Sequence, residues 1–244
     1  MLHRLSIIIP VFNEATTVYA ALERTVQART DGYEKEIIIV NDGSTDGTKK
    51  EIQRFTGKII YIEHAVNEGK GSAVRTGIQR ATGDLILIQD ADMEYNPDDI
   101  SRLLERMEDN PLITAVYGSR NLLPGKRGYG RYILGVWFLT FLVNILFRSR
   151  ITDCYTCYKL VRTDALRALK LTCNGFEIEM EITAQLLARG YRIAEVPISY
   201  QPRTFGQGKK IRAIDGLRGI YELVKVRLGM LSSDSDSDSA PPLS

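Results

Sequence analysis

Histidine and cysteine are scarce: the 244 residues include two of the former and three of the latter. Three cysteines cannot form the framework of a small disulfide-stapled domain, and an odd number suits a reducing compartment. Cys154-Tyr155-Thr156-Cys157 has the C-x-x-C spacing. Without a second pair and with so few histidines, it predicts neither a zinc site nor a thioredoxin-like motif. Neither charge sign dominates, since 32 Lys+Arg face 30 Asp+Glu for a net +2, which argues against a dedicated nucleic-acid binder. No apolar run reaches the roughly 20 residues of a membrane-spanning helix. Near the start, Ile7-Ile8-Ile9 stops at Pro10 with Glu14 close behind, too short for the core of a signal peptide. The expectation is a cytoplasmic chain with no signal peptide and no transmembrane span.

What remains is an ordinary globular composition, 44% hydrophobic and 25% charged, sufficient for a sizeable core. Leu5 to Ile9, Glu36 to Val40, Lys58 to Ile62 and Asp84 to Ile88 are short runs rich in β-branched residues, each followed by a turn and a helical stretch. Ile113 to Tyr117 adds another. Such runs fit buried parallel strands covered on both faces, so the alternation predicts an α/β sheet flanked by helices. Ligands of such sheets sit outside the carboxyl ends of the strands. The second half is less regular. It predicts an apolar helix over 129–147, a short strand over 157–161, a helix over 176–188, a strand over 191–200 and a last helix to about Leu228. The Ser/Asp-rich residues 231–244 have nothing to bury and predict a disordered tail. Without its three aspartates the chain carries +5.

The residues just after the strands carry the chemistry. Pro10-Val11-Phe12-Asn13-Glu14 follows the first, and Asn41-Asp42-Gly43-Ser44-Thr45-Asp46-Gly47-Thr48 the second. A strand stop and an Asx turn would use the same residue types. Asn67-Glu68-Gly69-Lys70-Gly71-Ser72 lacks the upstream glycine of a P-loop, and Val74 breaks a Rossmann pattern. A flexible loop at a helix N-terminus survives, able to approach a phosphate or ribose. The fourth strand ends in Gln89-Asp90-Ala91-Asp92-Met93-Glu94. Alternation along a strand puts Asp90 and Asp92 on one side with Glu94 just beyond. Hard oxygen donors without His or Cys suit Mg²⁺ or Mn²⁺. The alternative is an acidic surface turn.

Taken in order, Pro10…Asn13-Glu14, the 41–48 turn, Asn67…Gly69-Lys70-Gly71, Asp90-Ala91-Asp92 and Gly118-Ser119-Arg120 resemble family 2 glycosyltransferases of the A-type fold. Thr152-Asp153…Thr156-Cys157-Tyr158-Lys159, the segment 176–184 and Glu195-Val196-Pro197-Ile198-Ser199-Tyr200…Arg203-Thr204…Gly208-Lys209-Lys210 look like its dolichol-phosphate mannose synthase branch. The resemblance implies a mostly parallel, Rossmann-like sheet in one catalytic domain over 1–230. Its donor-binding half is about 1–120, and its acceptor and membrane half about 121–230. It further implies a nucleotide-sugar donor, a divalent metal (Mg²⁺ or Mn²⁺), inversion at the anomeric carbon and a polyprenyl-phosphate acceptor. Position by position, Pro10, Asn13, Glu14, Asp42, Lys70 and Asp90 resemble the nucleotide-binding set, and Asp90, Asp92 and Glu94 the metal set. Arg120, Arg131, Arg203, Lys209 and Lys210 resemble the phosphate and acceptor set, with Asp92, Arg120 and Arg203 catalytic. Gly135-Val136-Trp137 departs from the pattern, where Gly-Asn and a basic residue are expected.

A phosphate monoester acceptor, with its second pKa near ~6, needs no strong base at neutral pH, which suits a chain so poor in histidine. Tyr132 to Phe147 carries no charge and is flanked by Arg131, Arg148 and Arg150. It predicts an interfacial helix with Tyr132, Trp137, Phe138 and Phe141 toward lipid. An ordinary buried helix is the alternative. The expectation is transfer of a hexose, best mannose from GDP-mannose, to polyprenyl (dolichyl) phosphate at the cytoplasmic membrane face, with scope for a small membrane partner subunit. The same fold could instead use UDP-glucose or a UDP-N-acetylhexosamine, or a saccharide acceptor. A non-catalytic nucleotide-sugar-binding membrane adaptor is the alternative of a different class.

Overall fold

The computed structural model describes residues 3–123, 130–203 and 213–233. Lys209, Lys210 and the acidic tail from 234 onward lie outside the described residues, as do the side chains of Arg131 and Tyr132.

Seven strands form one sheet in the order β3-β2-β1-β4-β6-β5-β7. They are β1 His3–Val11, β2 Tyr33–Asn41, β3 Ile60–Glu63, β4 Leu85–Ile88, β5 Ile113–Ser119, β6 Lys159–Arg162 and β7 Arg192–Pro197. The β-branched runs pair in parallel as their composition demands: Ile7 to Ile9 lie beside Ile37 to Ile39 on one side, and Ile7 and Ile8 beside Leu87 and Ile88 on the other. These residues are fully or almost fully buried. β6 departs from the parallel pattern, running antiparallel to both β4 and β5. β7 returns parallel to β5 as an edge strand, where Pro197 costs the sheet no internal hydrogen bond.

The helices follow their apolar spacing. They are α1 Val18–Gln27, α2 Thr48–Gln53, α3 Lys70–Arg80, α4 Ile100–Glu108, α5 Gly130–Phe147, α6 Thr163–Arg167, α7 Ile178–Ala188 and α8 Ala213–Ser233. In α4, Ile100, Leu103, Leu104 and Met107 make one buried stripe. A turn over 97–99 leads in, with Asn96 accepting from the Asp98 N–H at its start. The last helix runs past Leu228 to Ser233, so Leu231, Ser232 and Ser233, expected in the tail, are helical.

Two features position the site. The chain winds outward from β1 through β2 to β3, then crosses back to place β4 on the other side of β1. The crevice beyond the carboxyl ends of β1 and β4 is thus the topological switch point, where ligands of such sheets bind. Beside the main core, a second apolar cluster joins α5, α7 and α8 through Leu139, Val143, Tyr155, Met180, Ala184 and Leu223.

Candidate active site

The acidic turn begins where β4 ends. Met93 takes a left-handed backbone, φ 64°, uncommon for a side chain of its size, and this reverses the chain between Asp92 and Glu94. Asp92 Oδ1 accepts from the Glu94 N–H at 3.0 Å. Burial, then Asp90, then Glu94 push the Asp92 carboxyl up to about 7. Glu94 is held by the segment that follows β7. Tyr200 Oη donates to its Oε2 at 2.7 Å, and the Arg203 N–H to its Oε1 at 2.6 Å. A Tyr95–Tyr200 bridge and the Gln201 N–H on the Glu94 carbonyl complete the clasp. The three carboxylates therefore neighbour one another along one turn, but their oxygens do not all come within 4.8 Å of each other while Asp90 is held by Lys70 and Glu94 by Tyr200 and Arg203. Among the described residues, the set of three ligand atoms within 4.8 Å of one another is Cys173, Glu181 and Glu222. There Glu181 is already engaged by Thr172 and the Cys173 N–H.

Asp90 faces a buried chain of alternating charges. Lys70, the first residue of α3, places Nζ 2.7 Å from Asp90 Oδ1 and 3.0 Å from Glu179 Oε1. Lys159, fully buried on β6, pairs with Glu179 Oε2. Burial alone would discharge these groups. Asp90 and Glu179 overcome it at Lys70, whose ammonium is held well above its ordinary value, and Lys159 and Lys70 overcome it at Glu179, which is held below. The Asn67-to-Ser72 loop is not an open phosphate cradle. The Glu68 and Gly69 N–H groups donate to Asp42, and those of Gly71 and Ser72 to the Asn174 carbonyl. Asn174 comes so near that a Cβ on Gly69 would lie 2.3 Å from its oxygen.

Asp42 fills both its oxygens inside the fold. His64 Nδ1 and the Glu68 N–H meet Oδ1 at 2.7 and 3.0 Å, while Asn67 Nδ2 and the Gly69 N–H meet Oδ2 at 3.0 and 2.8 Å. Asn13, with φ 50°, accepts from the Thr45 N–H at 2.8 Å, stitching the end of β1 to the turn after β2. Half-buried Pro10 lies within β1 beside Val40. An open depression of about 400 Å³ lies over the ends of β2 and β3, lined by Gly43, Ser44, Thr45, Lys49, Glu63 and His64.

The arginines come from the other flank. Arg203 donates Nη1 to Glu14 Oε2 at 2.8 Å and Nη2 to Thr17 Oγ1 at 3.1 Å, so it ties the segment after β7 to the β1–α1 loop. Arg120 is gripped by buried Asp153 through Nε at 2.7 Å and Nη2 at 2.8 Å, and lies 5.2 Å from the Tyr200 ring centroid. It can offer a phosphate only the donors that Asp153 leaves unused. Asp153, Lys159, Glu179 and Tyr200 had no assigned role in the sequence. For Lys159 and Glu179 the signal was a charge inside an otherwise apolar strand or helix, which burial turns into an obligatory pair.

α5 has a buried face and an exposed one. Leu139 and Val143 pack inward, while Trp137, Phe138 and Phe141 remain 67%, 53% and 52% exposed. α8 adds Ile214, Leu217, Tyr221, Val224 and Leu228, also exposed and spaced along one stripe, which the sequence reading missed. No helix among the described residues is long and apolar enough to cross a membrane.

The sheet order, the switch-point crevice and the acidic turn define an A-type glycosyltransferase fold. The chain superposes on Mycobacterium tuberculosis glucosyl-3-phosphoglycerate synthase, solved with Mn²⁺, uridine diphosphate and glucosyl-3-phosphoglycerate, with a TM-score of 0.72. That match has 17% identity and covers 93% of this chain and 80% of the other. The sequence matches the profile of Glycosyl transferase family 2 over residues 6–170, so the chain belongs to that family and is a glycosyltransferase. It is similar to the undecaprenyl-phosphate mannosyltransferase of Micrococcus luteus, 28% identical across 93% of this chain and 100% of that protein. It is also similar to the dolichol-phosphate mannosyltransferase of Pyrococcus furiosus, 29% identical across 91% of this chain and 64% of that one.

Proposed function

We propose that this glycosyltransferase moves a hexose, mannose from GDP-mannose, onto a polyprenyl phosphate at a membrane surface, with inversion. One observation carries the reading. The acidic turn after β4 is met by the Lys70 ammonium from one flank and by the Arg203 N–H from the other, with the Arg203 guanidinium held on Glu14 and acting on Asp92 through its charge, in a fold that also presents the exposed aromatic face of α5. Anionic donor, cationic clamps and an apolar platform for a lipid tail then occur in one molecule. The names of the two mannosyltransferases support the choice of acceptor and sugar.

The acidic turn fits a divalent cation. Its donors are hard oxygens, and the Asp92 carboxyl, pushed up to about 7, is the group that a neighbouring dication would return to its ionised form. Asp90, Asp92 and Glu94 would hold Mg²⁺ or Mn²⁺, which supplies neutralisation of the charge developing on the leaving nucleoside diphosphate. The side chains supply the rest. Lys70 holds Asp90, and the 199–203 segment holds Glu94, so the turn is preorganised. Arg203, with the donors of Arg120 that Asp153 leaves over and Lys209 and Lys210, binds the phosphates. Pro10, Asn13, Glu14 and Asp42 border the nucleoside side, and Arg131 the acceptor. A phosphate oxygen of the acceptor forms the new bond to the anomeric carbon as the bond to the diphosphate oxygen breaks. The acceptor is already largely dianionic, so no proton need be removed.

Incubation with GDP-mannose, UDP-glucose and UDP-N-acetylhexosamines, with and without EDTA, tests donor and metal together. Release of GDP from GDP-mannose that stops in chelator is expected. Preference for a UDP sugar, or full rates in EDTA, would overturn the donor or the metal assignment.

A further inference from the structure

Arg203 is carried to the crevice by the segment after β7, yet its guanidinium rests on the loop after β1. Its backbone N–H meets Glu94 Oε1 at 2.6 Å. Its side chain meets Glu14 Oε2 through Nη1 at 2.8 Å and Thr17 Oγ1 through Nη2 at 3.1 Å. Two carboxylates, one after β4 and one after β1, thus hold a single residue across the switch point. The Thr17 hydroxyl also donates to Glu14 Oε2 at 2.8 Å, which closes a triangle of Glu14, Thr17 and Arg203.

Glu14 is itself fixed by rigid elements. Its N–H donates to Thr48 Oγ1 at 2.8 Å, on the first residue of α2. Its carbonyl accepts from the Thr17 and Val18 N–H groups where α1 opens. The side chains of Glu14 and Arg203 are 10% and 13% exposed. Burying an ion pair gains a fold little, because desolvation offsets most of the attraction. What the pair does achieve is aim. An arginine side chain loses rotamer freedom on gripping a ligand, and one already pinned loses less. A guanidinium has five N–H donors, of which Glu14 and Thr17 take one each. The others remain for a ligand among the described residues. The Arg203 charge is felt at Asp92, so the guanidinium lies beside the acidic turn.

We propose that Glu14 is a positioning residue: it aims the Arg203 guanidinium at the donor diphosphate and does not read the nucleoside. This rests on the glycosyl-transfer reading, in which Arg203 binds phosphate, and it changes the part given to Glu14 there. Such a carboxylate has three other possible roles: nucleoside contact, purely structural tie, or competitor that a phosphate must displace. Each gives a different result.

The test is a double-mutant cycle of Glu14→Gln and Arg203→Met. Affinities for GDP and for guanosine are measured by calorimetry in Mg²⁺, together with the Tm of each variant. Glu14→Gln should weaken GDP binding about tenfold on its own and less than about twofold in the Arg203→Met background. Guanosine affinity should be unchanged in every variant. Thr17→Val keeps the shape and removes one hydroxyl of the triangle. It should weaken GDP binding about threefold, and it carries the test if Glu14→Gln fails to fold. Equal losses for guanosine and GDP would make Glu14 a nucleoside contact, and a lower Tm at unchanged GDP affinity would leave a structural tie. Tighter GDP binding would make it a competitor, and an equal loss in both Arg203 backgrounds would separate the two residues. Any of these overturns the proposal. Wild type that prefers a uridine nucleotide is tested with UDP and uridine in the same way. If wild type binds no nucleoside diphosphate at all, the glycosyl-transfer reading falls first and this assignment with it.

Discussion

Asp92 is an acid whose folded state prefers the proton. Its carboxyl sits at about 7 in the fold against an ordinary 3.8, so between those values the folded chain binds a proton that the unfolded chain has lost. Stability then falls as pH rises through that window and levels above it, the reverse of a salt-bridged carboxylate. Urea unfolding in EDTA should show a loss on the order of 2 kcal/mol from pH 4.5 to 8, and Asp92→Asn should flatten that slope. The same substitution should remove most turnover in metal-containing buffer while the protein stays folded. Parallel pH curves for wild type and variant would contradict this placement of Asp92. Arg203 spreads two nitrogens over Glu14 and Thr17, a geometry that a lysine cannot reproduce. Arg203→Lys should lower kcat/KM about tenfold or more, and an unchanged value would leave Arg203 only its structural tie to Glu14 and Thr17. Both residues were legible as motif positions. The pairing of Arg203 with Glu14 was not, because the two lie at opposite ends of the chain.

At the scale of elements, the loop before α3 owes its shape to a residue on another strand. Asp42 accepts from the Glu68 and Gly69 N–H groups and from Asn67 and His64, all within the fold. Asp42→Asn would turn one acceptor into a donor facing these donors, and should cost about 2–4 kcal/mol with a matching fall in Tm. A contact to the nucleoside alone would instead weaken donor binding at constant Tm, so the two readouts separate the roles. The strands β1 to β5 were readable because β-branched runs bounded by turns are a local signal. The antiparallel insertion of β6 between β4 and β5 was not, since partner choice depends on contacts distant in sequence. Likewise, a helix N-terminus after a glycine loop suggested an anion site, but Asn174, a hundred residues onward, supplies the carbonyl that fills it.

For the whole molecule, the unusual property is that two helices packed against each other, α5 and α8, each expose apolar side chains, the aromatics of the first and a stripe along the second. Burying several such side chains is worth roughly 1.5–3 kcal/mol each, more than a modest positive charge gains at a lipid surface. Liposome binding should therefore survive high salt. Replacing Phe138 and Phe141 with Ser should release the protein and raise KM for the lipid acceptor, with little change in KM for the nucleotide sugar. Flotation of that variant at wild-type levels would assign this face another role. The most direct measurement follows the sugar itself. Protein, labelled GDP-mannose and Mg²⁺ or Mn²⁺ are incubated with a polyprenyl phosphate or with the same polyprenol lacking its phosphate, and then extracted with organic solvent. Label entering the lipid phase with the phosphate alone, and released by mild acid, is the predicted result; label that stays in the aqueous phase with both, while donor is consumed, would contradict transfer to a polyprenyl phosphate.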